Sequence, residues 1–149
     1  MKGRVIALEM ELDEKLEELR ELYEKKEFSR LKGLLSELNP ADIAAVLDEL
    51  PDNQRLLMFR LLSKEEAAET FVELDSDNQE ALIHAFSDTE LREVLDELYI
   101  DDAVDVIEEM PATVVKRILQ NTDKQTRDSI NALLKYPEDS AGSIMTPEF

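Results

Sequence analysis

Asp101, Asp102 and Asp105 crowd into the run Ile100-Asp101-Asp102-Ala103-Val104-Asp105. If this run is helical, Asp101 and Asp105 are one turn apart and both carboxylates project from a single face. Two carboxylates held that close repel each other unless a cation sits near. Mg2+ suits them, because it is a hard ion that takes oxygen ligands and keeps several of its waters. The plainer role for acids in a first helical turn is a favourable interaction with the helix dipole, which needs no metal. Glu69, after Ala67-Ala68, falls on the polar side of its own helix, since Phe71 and Leu74 point inward. Glu65-Glu66, Glu108-Glu109 and Asp75-Ser76-Asp77 read as solvated faces and caps.

Other chemistries lack their parts. His84 is the single histidine and there is no cysteine, so a zinc site has no ligand set. Three glycines in 149 residues leave no phosphate-cradling loop. No nucleophile, histidine and acid can be grouped, and no pocket is in prospect that would drive paired carboxylates to different pKa values. The chain is therefore expected not to be an enzyme. Its 36 acidic and 17 basic residues give a net charge of −19. That excludes binding through a nucleic-acid backbone and disfavours anionic membranes, while attracting divalent cations. No apolar run approaches the ~18 residues of a bilayer span. The opening Met1-Lys2-Gly3-Arg4 is followed by Glu9, Glu11 and Asp13, which is not a signal peptide.

The elements that must position the acids are written in a repeat. Leu38, Leu50, Leu62, Leu74, Phe86, Leu98 and Met110 recur every 12 residues. Three residues before them stand Leu35, Leu47, Phe59, Phe71, Ile83, Leu95 and Ile107. One residue earlier still come Leu34, Val46, Met58, Thr70, Leu82, Val94 and Val106, of which Thr70 alone is weakly apolar. An i, i+1, i+4 cluster is one face of a short helix, and its fixed recurrence predicts a stack of helix-plus-turn units over one continuous core. The punctuation recurs with the same period: Asn39, Pro51, Ser63, Asp75, Ser87, Tyr99, Pro111 and Asp123. Ser63 with Glu66, and Ser87 with Glu90, read as capping boxes, and Ser76 with Gln79 as a shifted one. Asp48-Glu49-Leu50, Val72-Glu73-Leu74 and Asp96-Glu97-Leu98 fall 24 apart, so alternate helices are the more alike.

The expected fold is all-α: a superhelical stack with about 12 residues per helix and 24 per helical hairpin, led by an amphipathic helix. That leading helix takes residues 1–28, with Val5, Leu8, Leu12, Leu16, Leu19 and Tyr23 along one stripe, and the stack takes 29–136 with a last helix over 124–135. Residues 137–149 read as a breaker-rich linker and the first residues of a following domain.

Two stretches carry a family resemblance. Ile100-Asp101-Asp102-Ala103-Val104-Asp105-Val106-Ile107-Glu108-Glu109-Met110-Pro111 resembles the acidic helix of the amino-terminal domain of the MgtE magnesium transporter family. Tyr136-Pro137-Glu138-Asp139-Ser140-Ala141-Gly142-Ser143-Ile144-Met145-Thr146 resembles that family's junction into paired cystathionine-β-synthase-type domains. The resemblance implies a cytosolic Mg2+-sensing domain that docks on the adjacent regulatory domain when Mg2+ is high, favouring channel closure. It implies a homodimeric whole protein with a transmembrane pore, and no membrane insertion by this part. It assigns Glu69, Asp101 and Asp105 to the Mg2+ interface, with regulatory Mg2+ held weakly by this chain alone. A backbone ligand near the junction corresponds to Ser143, where the family has Gly. The rival reading is a helical-repeat docking module like the flagellar motor protein FliG, with an exposed apolar groove and a basic partner.

Overall fold

The computed structural model describes the backbone of residues 2–135, and side chains from Leu12 to Leu134. The expectations for Val5, Leu8, Ser143 and the 137–149 linker lie outside the described side chains or residues. The leading helix, α1, runs Lys2–Glu24. It ends in a hydrogen-bond pattern typical of glycine C-caps, with Lys26 at φ 59° and the Glu27 N–H donating to the Leu22 carbonyl.

The repeat is realised with a fixed stride. Helices α2 (Phe28–Ser36), α3 (Pro40–Asp48), α4 (Asp52–Arg60), α5 (Lys64–Glu73), α6 (Ser76–Ala85), α7 (Asp88–Glu97), α8 (Ile100–Glu108), α9 (Ala112–Gln120) and α10 (Lys124–Lys135) each begin 12 residues after the one before. No strand occurs among the described residues. Helices this short do not persist alone in water, so burial of their apolar faces must hold them. The pairs predicted to face inward are buried from Leu34 and Leu35 through Val106 and Ile107. Thr70, the weak member, is fully buried too.

The chain divides between Leu82 and Ile83 into two compact units. In the first, α3 packs on α1, α4 and above all on α5. Phe59 and Phe71 meet edge to face there, with ring centroids 6.2 Å apart. In the second unit, α8 packs on α10. In both, helices two apart in sequence are partners, which is the physical content of the 24-residue likeness.

The punctuation residues flank the helices as expected. Asn39 accepts from the Asp42 N–H at 2.9 Å, with Pro40 opening the helix. Ser63–Glu66 and Ser87–Glu90 form complete capping boxes. The expected Ser76–Gln79 box does not form. Ser76 is already inside α6, and the Gln79 amide turns instead to the Phe71 carbonyl at 2.7 Å. The start of α6 is held from another helix: the Asp48 carboxylate accepts from the Asp75 N–H and from Asn78 Nδ2 at 2.7 Å.

A second device escaped the hydropathy pattern. Arg55 is buried and its Nε donates to the Leu47 carbonyl at 2.9 Å. Its other nitrogens bond the Leu50 carbonyl and the Asp52 carboxylate. Gln79 reaches Phe71, and Arg127 Nε reaches the Leu119 carbonyl at 3.0 Å. All three span eight residues back, onto the last turn of the preceding helix. These carbonyls, which at the helix end accept from an amide three residues on, thus gain a further donor. Positions 55, 79 and 127 lie on the 24-residue frame, and Ala103 takes its remaining place without a donor.

Candidate functional site

α8 owes its orientation to its apolar side. Ala103, Val104, Val106 and Ile107 are buried. With those four inward, Asp101 and Asp105 are left exposed and Asp102 half-buried. Glu108, one turn beyond Asp105, is exposed as well, which extends the acid pair into a stripe along the outer side. The helix opens at Tyr99, whose carbonyl accepts from the Ala103 N–H at 3.0 Å and whose side chain provides no cap. That side chain is 80% exposed. Asp101 and Asp102 therefore stand in a first turn with unsatisfied amides, where negative charge is favoured.

Glu69 lies in α5, exposed on the side opposite Ala67, Ala68, Thr70 and Phe71, which are buried. The structure joins Asp101 to Asp105 on one helical face, while Glu69 belongs to a helix of the other unit. Among the described residues no three side chains of His, Cys, Asp or Glu converge closely enough to hold a metal ion. Asp101 and Asp105 supply hard oxygen donors of the kind Mg2+ takes, but they form part of a ligand set rather than a whole one. An ion that keeps most of its waters can still bridge such a pair to a second acidic surface.

One carboxyl in the second unit is visibly tuned, and it is structural. Asp123 accepts the Thr126 N–H at 2.7 Å at the start of α10, and the Thr126 amide and hydroxyl hold it below the ordinary carboxylate value. Arg117 of α9 ties the end of α6 to the start of α7: it bonds the Ile83 carbonyl, the Phe86 carbonyl at 2.7 Å and the Asp88 carboxylate at 3.1 Å. Its position carried no sequence signal, because a partly exposed arginine on an amphipathic helix looks like any solvated cation.

Comparison with known proteins gives a consistent result. The model of the family described as the MgtE intracellular N domain matches residues 38–139. The magnesium transporter MgtE of Thermus thermophilus is 35% identical over 143 residues, covering 93% of this chain and 32% of that protein. The magnesium transporter MgtE of Bacillus subtilis is 23% identical over 118 residues, 79% of this chain and 26% of that protein. Among solved structures, the cytosolic domain of the Mg2+ channel MgtE in complex with ATP aligns with a TM-score of 0.70 and 33% identity, over 83% of this chain and 51% of that one. The soluble part of a magnesium transporter aligns with a TM-score of 0.73 over 93% of this chain and 55% of that one; at 24% identity it speaks to the fold alone. The chain thus spans a third or less of the curated relatives and about half of the solved ones.

Proposed function

The chain belongs to the MgtE intracellular N domain family, and from that membership we propose that it is the cytosolic Mg2+-sensing regulatory domain of a magnesium ion transporter or channel. In this reading it is not an enzyme. It works by docking on an adjacent regulatory domain, of cystathionine-β-synthase type, within a homodimeric membrane protein whose pore lies elsewhere in the whole polypeptide. The observation that carries the reading is the pairing of family membership with two exposed, unneutralised carboxylates one turn apart on α8. Glu69 on α5 is the third proposed ligand.

The physics is a ligand-driven population shift. Two acidic surfaces repel when divalent cations are scarce. Mg2+ held between them removes the repulsion and binds the docked state better than the separated one, which is the differential affinity a shift requires. Closure at high Mg2+ and opening at low Mg2+ follow. Because the donors on this chain are only part of a ligand set, the chain alone should hold Mg2+ weakly. Family membership favours this reading over a FliG-like docking module.

The test uses the intact protein. Asp101→Asn with Asp105→Asn removes two charges and leaves the helix. The expected result is unchanged helix content and a rise of about tenfold in the Mg2+ concentration at half-closure, on the scale of hydrogen bonds to charged groups. Small-angle scattering of the cytosolic part should show compaction with Mg2+ that this double variant blunts. An unaltered Mg2+ response would reject the site.

A further inference from the structure

Two places in the second unit break the 12-residue pattern. The first is on α9. At the ladder positions that run from Leu31 to Ala103 and from Leu35 to Ile107, every residue of α2 through α8 is buried. The same two positions of α9 hold Val115 and Leu119, and both are only half-buried. The next ladder positions hold Gly142, Ser143 and Thr146, so the sequence does not continue the apolar repeat. A shallow cavity of about 470 Å³ lies over this face, lined by Ala112, Val115, Lys116, Leu119, Gln120 and Arg127. Both charged groups on its rim are cations. Lys116 is exposed and has no ion-pair partner among the described residues. Arg127 commits Nε and one terminal nitrogen to the Leu119 and Thr122 carbonyls, and its remaining nitrogen makes no hydrogen bond there.

The second place is the corner between α7 and α8. Of the eight punctuation positions, seven hold Asn, Pro, Ser or Asp; the eighth is Tyr99. Tyr99 provides no side-chain cap, is 80% exposed and has no ring or hydrogen-bond partner for its side chain among the described residues. Glu97 and Asp101 stand two residues to either side, exposed and likewise unpaired. An aromatic ring left in water forgoes its hydrophobic free energy, and here it serves neither cap nor core.

The two irregularities are complementary. One is an apolar floor between cations, the other an aromatic ring between carboxylates. We propose that they meet across a second copy of the chain: Tyr99 of each copy seats on Val115 and Leu119 of the other, with Glu97 and Asp101 against Lys116 and Arg127. Both halves lie on one chain, so a two-fold pairing satisfies both at once and closes. The net charge of −19 opposes approach at long range. Salt at 0.1 M screens that repulsion beyond about 10 Å, while the opposed patches attract at contact. A buried tyrosine removes about 150–250 Å² from water, so two rings and their rims stay below the roughly 1,200 Å² of a stable complex. The pairing is therefore weak. It matters where two copies are tethered, which raises their effective concentration to order millimolar.

Sedimentation equilibrium of the 149-residue chain in about 0.15 M sodium chloride tests this. The weight-average mass should be that of one chain at about 10 μM and about 1.5 times that at about 1 mM, as a dissociation constant on the order of 10⁻⁴ to 10⁻³ M gives. Tyr99→Ala and Lys116→Glu, both at exposed positions, should each hold the mass at one chain at the higher concentration, with circular dichroism unchanged. Glu97→Lys combined with Lys116→Glu should restore the rise. A wild-type chain that stays single at the higher concentration would overturn the proposal. So would self-association that persists in both single variants, or a charge-swapped chain that stays single.

Discussion

Thr70 places a hydroxyl where the neighbouring units of the ladder carry Met58 and Leu82. The side chain is fully buried and its Oγ1 finds no hydrogen-bond partner. A buried polar group without a partner costs about 1–3 kcal/mol. Valine has the same shape without the hydroxyl, so Thr70→Val should stabilise the chain by about 1 kcal/mol. Urea unfolding checks this: the midpoint should rise with an unchanged slope. Asp123 makes a prediction of the opposite kind, tied to pH. Its carboxyl is held below the ordinary value of 3.8 by the Thr126 amide and hydroxyl. A depressed folded pKa stabilises above the unfolded pKa, and that contribution is lost as pH falls through the folded one. Acidification below about pH 4 should therefore loosen the start of α10. Asp123→Asn keeps an acceptor for the Thr126 amide and should flatten that pH dependence, read by amide exchange at Thr126 and Arg127.

At the scale of the element, the donors that reach back from one helix onto the end of the last are as much a part of the repeat as the apolar faces. Arg55 satisfies two carbonyls and an acid from a buried position. Arg55→Leu would leave the Leu50 carbonyl without its donor and the Leu47 carbonyl with the Leu50 amide alone, and should cost about 1–3 kcal/mol, the cost of one buried unsatisfied group. Arg55→Lys should recover little, because an ammonium cannot reproduce the planar fork of a guanidinium. Thermal unfolding of the two variants separates these outcomes. This device was invisible to hydropathy, which assigns every arginine to solvent. The apolar pairs, the caps and the α10 limits were legible, because burial and capping leave a mark at a fixed spacing in one short window. Ser76 and Gln79 imitated a capping box in that window, yet Asp75 is already held by Asp48 from α3, and contacts 27 residues apart write no local pattern. The exposure of Glu69, Asp101 and Asp105 was legible for the same reason as the core: each sits opposite buried neighbours on its own helix. A complete ligand set was not, because the two carboxylates on α8 find no third within the described residues.

For the whole molecule, charge rather than hydrophobicity distinguishes one region from another. The long acidic stretch from Pro40 to Met110 repels itself, and salt relieves that repulsion within a Debye length of about 10 Å at 0.1 M. Raising sodium chloride from low to near 0.5 M should therefore increase the melting temperature by several degrees, about the shift that 1–2 kcal/mol produces in a chain of this size. A melting temperature insensitive to salt would mean that the carboxylates stand too far apart for their mutual repulsion to weigh on stability. Beside this, the constant stride of helix starts from Phe28 to Lys124 has an evolutionary reading. Partners are helices two apart, so the gene can gain or lose a segment of 24 codons and leave every surviving helix facing its kind, whereas an insertion of one or two codons within a helix pushes a cap into an interior and an apolar pair into water. Length changes tolerated by such a gene should therefore come in steps of 24 codons.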